Sequence, residues 1–258
     1  DRMEFIGLHG TIEKPEAMNA EKLSGTVGAG LDPCGALQAK IVLEPGESKE
    51  IVFMLGQGKN EEEVKQIATK YKSVATAKIE LERIKNYWNK KIKAIQVHTP
   101  DLSMDILLNG WLIYQVTSCR LWSRSAFYQS GGAYGFRDQL QDVMALVYIW
   151  SDHTRKQLLL HSEHQFVEGD VQHWWHPGKD KGIRTRYSDD LLWLPYVTAD
   201  YIQNTGDWTV LDEVTAYLED EPLAENEDER YAVPRISEQK STLYEHCVRA
   251  IEISLKTG

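Results

Sequence analysis

Residues 127–144 read FYQSGGAYGFRDQLQDVM. Gly131 and Gly132 lead into Arg137 and Asp138, Gln141 and Asp142 follow, and the chain then turns strongly apolar through Leu146, Val147, Tyr148, Ile149 and Trp150. A helix starting near Phe136 puts Asp138, Gln141 and Asp142 at i, i+3 and i+4, on one face, opposite a stripe of Leu140, Val143, Met144 and Val147. Apolar residues on the remaining faces mark the helix over 136–151 as buried all round. Its polar head therefore needs a partner. Two carboxylates and an amide grouped in this way match the vicinal hydroxyls of a sugar, with Arg137 as a forked donor. A plainer reading has equal weight here: Asp138 and Asp142 complement the positive end of the helix dipole, and Arg137 pairs with one of them.

A second stretch, GDVQHWWHPGKDKGIRTRYSDDLLWLP over 169–195, repeats the theme. Gln172, His173, Trp174, Trp175 and His176 gather hydrogen-bonding groups and two large rings in what reads as a polar surface loop over 168–187, a combination expected of a carbohydrate site. Ser188, Asp189 and Asp190 then open a helix over 188–204 that is again apolar on most faces, from Leu191 to Val197. As ordinary helix caps they are equally well placed. Pro195 is expected to kink this helix about two turns in. His173 and His176, without a carboxylate in a helical motif, make a poor zinc signal, so no metal is expected. His153, His161 and His164 read as packing residues.

Outward from these motifs, helices are expected over 101–122, 153–167 and 241–256, with a second polar loop over 219–240. Gly206-Asp207-Trp208 reads as a turn between two helices. Wholly apolar helices alternating with amphipathic ones suggest two concentric layers, with the polar heads of the inner helices meeting at one mouth. Residues 60–95 lack Gly and Pro and are highly charged, which marks a helical linker over 60–100, broken at most once. Before it, Leu37, Ala39, Ile41 and Leu43 alternate with polar neighbours, EPGES turns the chain, and Ile51, Phe53 and Leu55 resume the period, as in a β-hairpin. The expected domains are therefore 1–59, 60–100 and 101–258.

The formal net charge of −10 argues against nucleic-acid binding. Cys34, Cys119 and Cys247 are odd in number and far apart, which fits a reducing compartment and gives neither a disulfide framework nor a metal motif. No stretch approaches the roughly 18 apolar residues that span a bilayer, and no membrane contact is expected from this segment.

SGGAYGFRDQLQDVMAL together with GDVQHWWHP and GIRTRYSDDLLWLPY resembles glycoside hydrolase family 94, which includes cellobiose, chitobiose and β-1,2-oligoglucan phosphorylases and the phosphorylase-like region of cyclic β-1,2-glucan synthases. The resemblance runs from the DPCGALQ stretch onward. It implies a β-sandwich remnant followed by part of an (α/α)6 barrel, predominantly α-helical. It also implies reversible phosphorolysis of a β-linked gluco-oligosaccharide to α-glucose 1-phosphate with inversion, inorganic phosphate as co-substrate and no cofactor. A cytoplasmic homodimer is the expectation for the full-length protein. By similarity Arg137 and Asp138 hold the glucosyl unit being transferred, and Asp189 and Asp190 sit at the same pocket; Gln141, Asp142, His173 and Trp174 complete the substrate-binding set. The family's catalytic acid lies in a Gly-Asp-Trp-Asn-Asp-Gly stretch that this sequence lacks. Gly206-Asp207-Trp208 continues as Thr209-Val210 and is not its equivalent, so no catalytic residue is expected in this chain. Ser130, Gly131 and Gly132 stand where the cellobiose and chitobiose enzymes carry a further arginine, which favours a different branch. The barrel also needs more helices than are present, so an internal fragment without phosphorolytic activity of its own is expected. The competing functions are a cyclic-glucan-synthase domain, a non-catalytic glycan-binding module, and a hydrolase with a second carboxylate about 6.5 to 9.5 Å from the acid.

Overall fold

The computed structural model describes residues 1–124 and 131–257, so residues 127–130 of the stretch quoted above, Ser130 among them, lie outside the described residues. The chain forms two compact units, Asp1–Ile79 and Glu80–Gly258. The helices are α1 (Arg2–Ile6), α2 (Glu61–Tyr71), α3 (Val74–Ile92), α4 (Leu102–Ile106), α5 (Leu112–Gln115), α6 (Phe136–Met144), α7 (Val147–Ser162), α8 (Trp193–Thr205) and α9 (Leu243–Thr257). The strands are β1 (Tyr134–Gly135), β2 (Gln172–His176), β3 (Lys181–Thr185), β4 (Val214–Glu219), β5 (Glu229–Ala232) and β6 (Arg235–Thr242).

The charged segment, which begins in the first unit and runs into the second, is helical and broken once. The Asn60 side chain accepts from the Glu63 N–H to cap α2, and the Ser73 hydroxyl accepts from the Thr76 N–H at the start of α3. The expected hairpin differs. The turn is present, with the Glu47 N–H donating to the Glu44 carbonyl and Gly46 at φ 81°, but no ladder joins its arms among the described residues. Leu37 and Phe53 are 73% and 60% exposed. A two-stranded hairpin is marginal unless further strands or a helix bury its apolar face, and here those side chains remain exposed.

The second unit carries the core. The helical run from Leu102 to Trp122 is interrupted by two π-helical stretches, Leu107–Trp111 and Val116–Trp122. The helix expected over 136–151 stops at Met144 instead, and α7 starts at Val147 with a non-helical Trp150 (φ −152°, ψ 54°). This kink lets the Trp150 ring stack on His153 at 4.1 Å and meet Trp122 edge-on at 6.4 Å. Leu140, Val143, Leu146, Leu158, Leu194, Val197 and Leu243 are wholly buried between α6, α7, α8 and α9. Pro195 does not kink α8. The helix starts at Trp193, after a 3-10 turn over Asp190–Leu192, so Pro195 lies in its first turn, where its missing N–H has no intrahelical acceptor to lose.

Two expected loops are sheets. The segment 168–187 is the β2–β3 hairpin, turned at Pro177 to Asp180, and it joins β1 and β5 in a four-stranded antiparallel sheet ordered β1-β2-β3-β5. Segment 219–240 supplies β5 and most of β6, which pairs with β4. Aromatic and β-branched residues around Pro-Gly outweighed the polar composition that marked a loop. Close approach makes Gly182 necessary: a Cβ there would lie 2.3 Å from the Trp174 carbonyl oxygen. Gly206-Asp207-Trp208 joins a helix not to another helix but to a 3-10 turn, Trp208–Asp212, and then β4. Asp207 caps that turn and binds Arg155 at 3.1 Å and the Tyr201 hydroxyl at 2.8 Å, a structural role.

The three histidines expected to pack, His153, His161 and His164, do so, and His246, for which nothing was expected, packs as well. His161 meets Phe136 and Trp175 edge-on and His164 stacks on Trp175 at 3.8 Å. His246 contacts Gln165 at 2.8 Å and Thr215 at 3.0 Å and stacks on Tyr217 at 4.0 Å. Burial lowers the pKa to about 3 for His161 and about 4 for His164 and His246. These groups bind fewer protons folded than unfolded between those values and the ordinary 6.5, so their stabilising contribution is complete above pH 6.5 and is lost as pH falls toward 4. Thermal unfolding between pH 7.5 and 5.5 is expected to show a falling midpoint, with each histidine contributing up to about 1.4 kcal/mol per pH unit. His246→Gln should flatten that slope. An unchanged slope in the variant would contradict this account.

Candidate functional site

β1 pairs antiparallel with β2, Tyr134 opposite Trp175 and Gly135 opposite Trp174. Because α6 starts one residue after β1, this pairing delivers Arg137 and Asp138 beside the strand that carries His173. Trp175 secures the junction. It is 1% exposed, with Tyr134 stacked on it at 5.6 Å and Phe136, His161 and His164 around it. Its burial corrects the expectation of two exposed rings in this segment.

Ser188, Asp189 and Asp190 lie in the turn before α8; the Asp189 side chain does not cap the 3-10 turn, and the two carboxylates, of Asp189 and Asp190, meet residues on other elements. Arg137 donates from Nη1 to Asp189 Oδ2 at 2.9 Å, and His173 Nδ1 lies 2.6 Å from Asp190 Oδ2. Asp138 is half-buried between these pairs, facing the charges of Arg120, Arg137, His173 and Asp190. Gly135 leaves room for it: a Cβ there would lie 2.2 Å from Asp138 Oδ2. Burial raises the Asp138 carboxyl above its ordinary value, opposed first by Arg120 and then by Arg137. Burial works against ionisation of Asp189 too, but the Arg137 hydrogen bond and charge outweigh it and hold that carboxyl below its ordinary value.

Arg137, Asp138, His173, Asp189 and Asp190 thus form one cluster. The remaining expected residues fall differently. Asp142 lies one helical turn beyond Asp138 and takes both its contacts from Arg120 Nε, at 2.9 and 3.0 Å. Gln141 is exposed. Trp174 packs with Tyr231 at 5.3 Å and His176 at 5.4 Å, away from the His173–Asp190 pair. Sequence reading missed Arg120. Its only signal was a lone cation in the apolar run VTSCRLW, and the π-helical turn over Val116–Trp122, a feature common at functional sites, has no sequence signature.

The Arg137–Asp189 pair is 45% and 54% exposed on its two sides. An ion pair so wet is worth about 0 to 1 kcal/mol of stability, so its geometry does not serve the fold. It presents a forked donor and carboxylate oxygens to solvent at the mouth of a buried helix, which suits a polyhydroxylated ligand. Among the described residues no three His, Cys, Asp or Glu side chains converge as a metal site.

The sequence model of the glycosyl hydrolase 94 superfamily catalytic domain matches residues 87–258, and that of the glycosyl hydrolase 94 supersandwich domain matches residues 1–74. The chain belongs to this family. Similar relatives are the cyclic beta-(1,2)-glucan synthase NdvB of Rhizobium meliloti (37% identical, covering 100% of this chain and 9% of that protein) and the N,N'-diacetylchitobiose phosphorylase of Vibrio furnissii (28%, covering 98% and 33%). A third is the solabiose phosphorylase of Paenibacillus borealis (25%, covering 84% and 27%). This glycosyl hydrolase 94 chain spans between 9 and 33% of the length of the curated relatives it matches. No helix among its described residues is long and apolar enough to cross a membrane.

Arg120 is the electrostatic support of the two carboxylates on α6. Arg120→Met is expected to raise the Asp138 and Asp142 carboxyl pKa values further, and Arg120→Lys to restore part of the difference. Titration of carboxyl carbon-13 resonances would read this directly. Curves identical to those of the wild type would remove Arg120 from the site.

Proposed function

We propose that this chain holds the donor glucosyl unit of an inverting β-glucoside phosphorylase of the glycosyl hydrolase 94 type, on part of an (α/α)6 barrel. The observation that carries the reading is the Arg137–Asp189 contact, which joins the polar heads of two core segments around Asp138. In this reading Asp138 accepts from sugar hydroxyls and Arg137 donates to them, while the His173–Asp190 pair fixes the neighbouring wall. Phosphate oxygen forms a bond to the anomeric carbon as the glycosidic C–O bond breaks on the opposite face, giving α-glucose 1-phosphate. A general acid gives its proton to the leaving oxygen, and phosphate takes the place of the water that a second carboxylate would otherwise activate. No cofactor enters this scheme.

A second reading, the phosphorylase-like domain of a cyclic β-1,2-glucan synthase, is favoured by the 37% identity to such a synthase over the whole chain. Both readings use the same donor site. They separate on product: linear oligosaccharides and glucose 1-phosphate for the first, trimming or extension of β-1,2-glucan for the second.

Arg137→Ala and Asp138→Asn in the full-length protein, assayed for glucose 1-phosphate release from β-gluco-oligosaccharides and phosphate, should each lower kcat/KM by roughly a hundredfold, as expected for losing hydrogen bonds realised with the bound sugar. Arg137→Ala should leave the unfolding midpoint close to that of the wild type, since its ion pair is exposed. Unchanged kinetics in both variants would end the assignment.

A further inference from the structure

The β2–β3 turn and the residues before β1 enclose a cleft of about 590 Å3 in the second unit, with Arg124, Gly132, His176, Lys179, Lys181 and Tyr231 on its walls. That volume lies within the range occupied by small ligands. No described carboxylate lines it, although the chain as a whole carries a formal net charge of −10. Asp180 stands between the two lysines in sequence, but it is not part of the lining, and its charge acts on Glu163 and His164.

The cations of this cleft are placed but not consumed. Arg124 donates from Nε to the Gly132 carbonyl at 2.7 Å and from Nη1 to the Trp122 carbonyl at 3.2 Å, with its guanidinium over the Tyr134 ring at 4.8 Å. A guanidinium has five N–H donors, so these two bonds leave three. Lys181 Nζ lies over the Tyr231 ring at 4.2 Å, and among the described residues neither lysine ammonium has a hydrogen bond or an ion pair. The backbone points to the same place. Arg124 (φ 47°) and Asp180 (φ 50°) are the two non-glycine residues with left-handed backbone among the described residues, one on the wall of the cleft and the other between its lysines. Such conformations are uncommon outside glycine and collect at binding sites. Like charges gathered without counter-charges repel one another, so a ligand that supplies the missing negative charge accounts for the arrangement.

His176 follows His173 by three positions on β2, which sets the cleft roughly 10 Å from the His173–Asp190 pair. A reacting oxygen has to come within about 3.5 Å of its carbon, so an anion in the cleft is not one that attacks a sugar held on Asp138. We propose that the cleft is an oxyanion site, separate from the Arg137–Asp138 pocket, that takes a phosphate-class group on Arg124, Lys179 and Lys181, either as the free ion or as a monoester.

The test is calorimetric titration of the full-length protein with inorganic phosphate and with methyl phosphate at constant ionic strength. Lys179→Ala/Lys181→Ala and Lys179→Gln/Lys181→Gln should each weaken one binding component by about tenfold or more, as expected for losing charge-assisted bonds, with an unfolding midpoint near that of the wild type. Arg137→Ala should keep the component that the double variants lose. Inorganic phosphate binding as tightly as methyl phosphate, or more tightly, supports a site for the free ion; tighter binding of methyl phosphate supports one for a group carried on a larger molecule. No weakening in either double variant, or loss of the same component in Arg137→Ala, overturns the proposal. Binding is read without turnover, so its failure leaves the donor-sugar reading standing.

Discussion

The site depends on the burial of one ring. Trp175 lies on β2 opposite Tyr134 and is enclosed by Tyr134, Phe136, His161 and His164. A fully buried indole of this size removes enough apolar surface from water to supply roughly 2 to 3 kcal/mol, and the stacking geometries add to it. Because successive residues of a strand face opposite sides, fixing Trp175 inward turns Trp174 to the other side, while His173 is the extra residue of the bulge between Gln172 and Trp174. The pairing of Gly135 with Trp174 then sets where α6 starts. A slip of one residue would turn Trp175 outward and carry Arg137 away from Asp189.

This accounts for which parts of the site could be read from the sequence. Arg137, Asp138, Asp189 and Asp190 stood out because polar residues at the heads of apolar segments violate the burial pattern around them. That Arg137 would choose Asp189, fifty-two positions away, over the adjacent Asp138 depends on a strand pairing that local periodicity does not encode. Trp174 and Trp175 were indistinguishable as letters. One faces the core and the other Tyr231, a difference decided by register alone. The β2–β3 hairpin was hidden for a related reason: Lys179, Asp180 and Lys181 at its turn gave it a loop's composition, while the pairing that makes it a sheet comes from Gly182 facing Trp175 and Ala232.

The helices were legible in proportion to how local their causes are. Asn60 and its following glutamates announced α2, and the capping bond is there. The non-helical backbone at Trp150 was not legible, because its ring meets Trp122, which lies on a distant turn of the chain, as well as His153. Pro195 was misread through a five-residue difference in the start of a helix: with the start at Trp193 it lies in the first turn, with the start at Ser188 it would have been a breaker.

In an acidic chain, gathering Asp138, Asp142, Asp189 and Asp190 in one place is unfavourable unless each has its own counter-group. The fold supplies these from separate elements: Arg120 from a π-helical turn to Asp142, Arg137 from α6 to Asp189, and His173 from β2 to Asp190. Asp138 is the carboxylate shared among them, drawn by Arg120 and Arg137 and pushed by Asp190, with its own burial opposing charge. Pairing of this kind also rigidifies. Each carboxylate that is held by a partner on another element has already lost its rotamer freedom before a ligand arrives, so the ordering cost that a flexible site would meet on binding has been met on folding. The same paired groups keep spare acceptor positions, because an ionised carboxylate offers more lone pairs than one arginine or one imidazole can use. What folding leaves is a rigid surface of hydrogen-bond acceptors beside one exposed arginine, and a ligand with several hydroxyls in fixed relation to one another is the class that such a surface can distinguish.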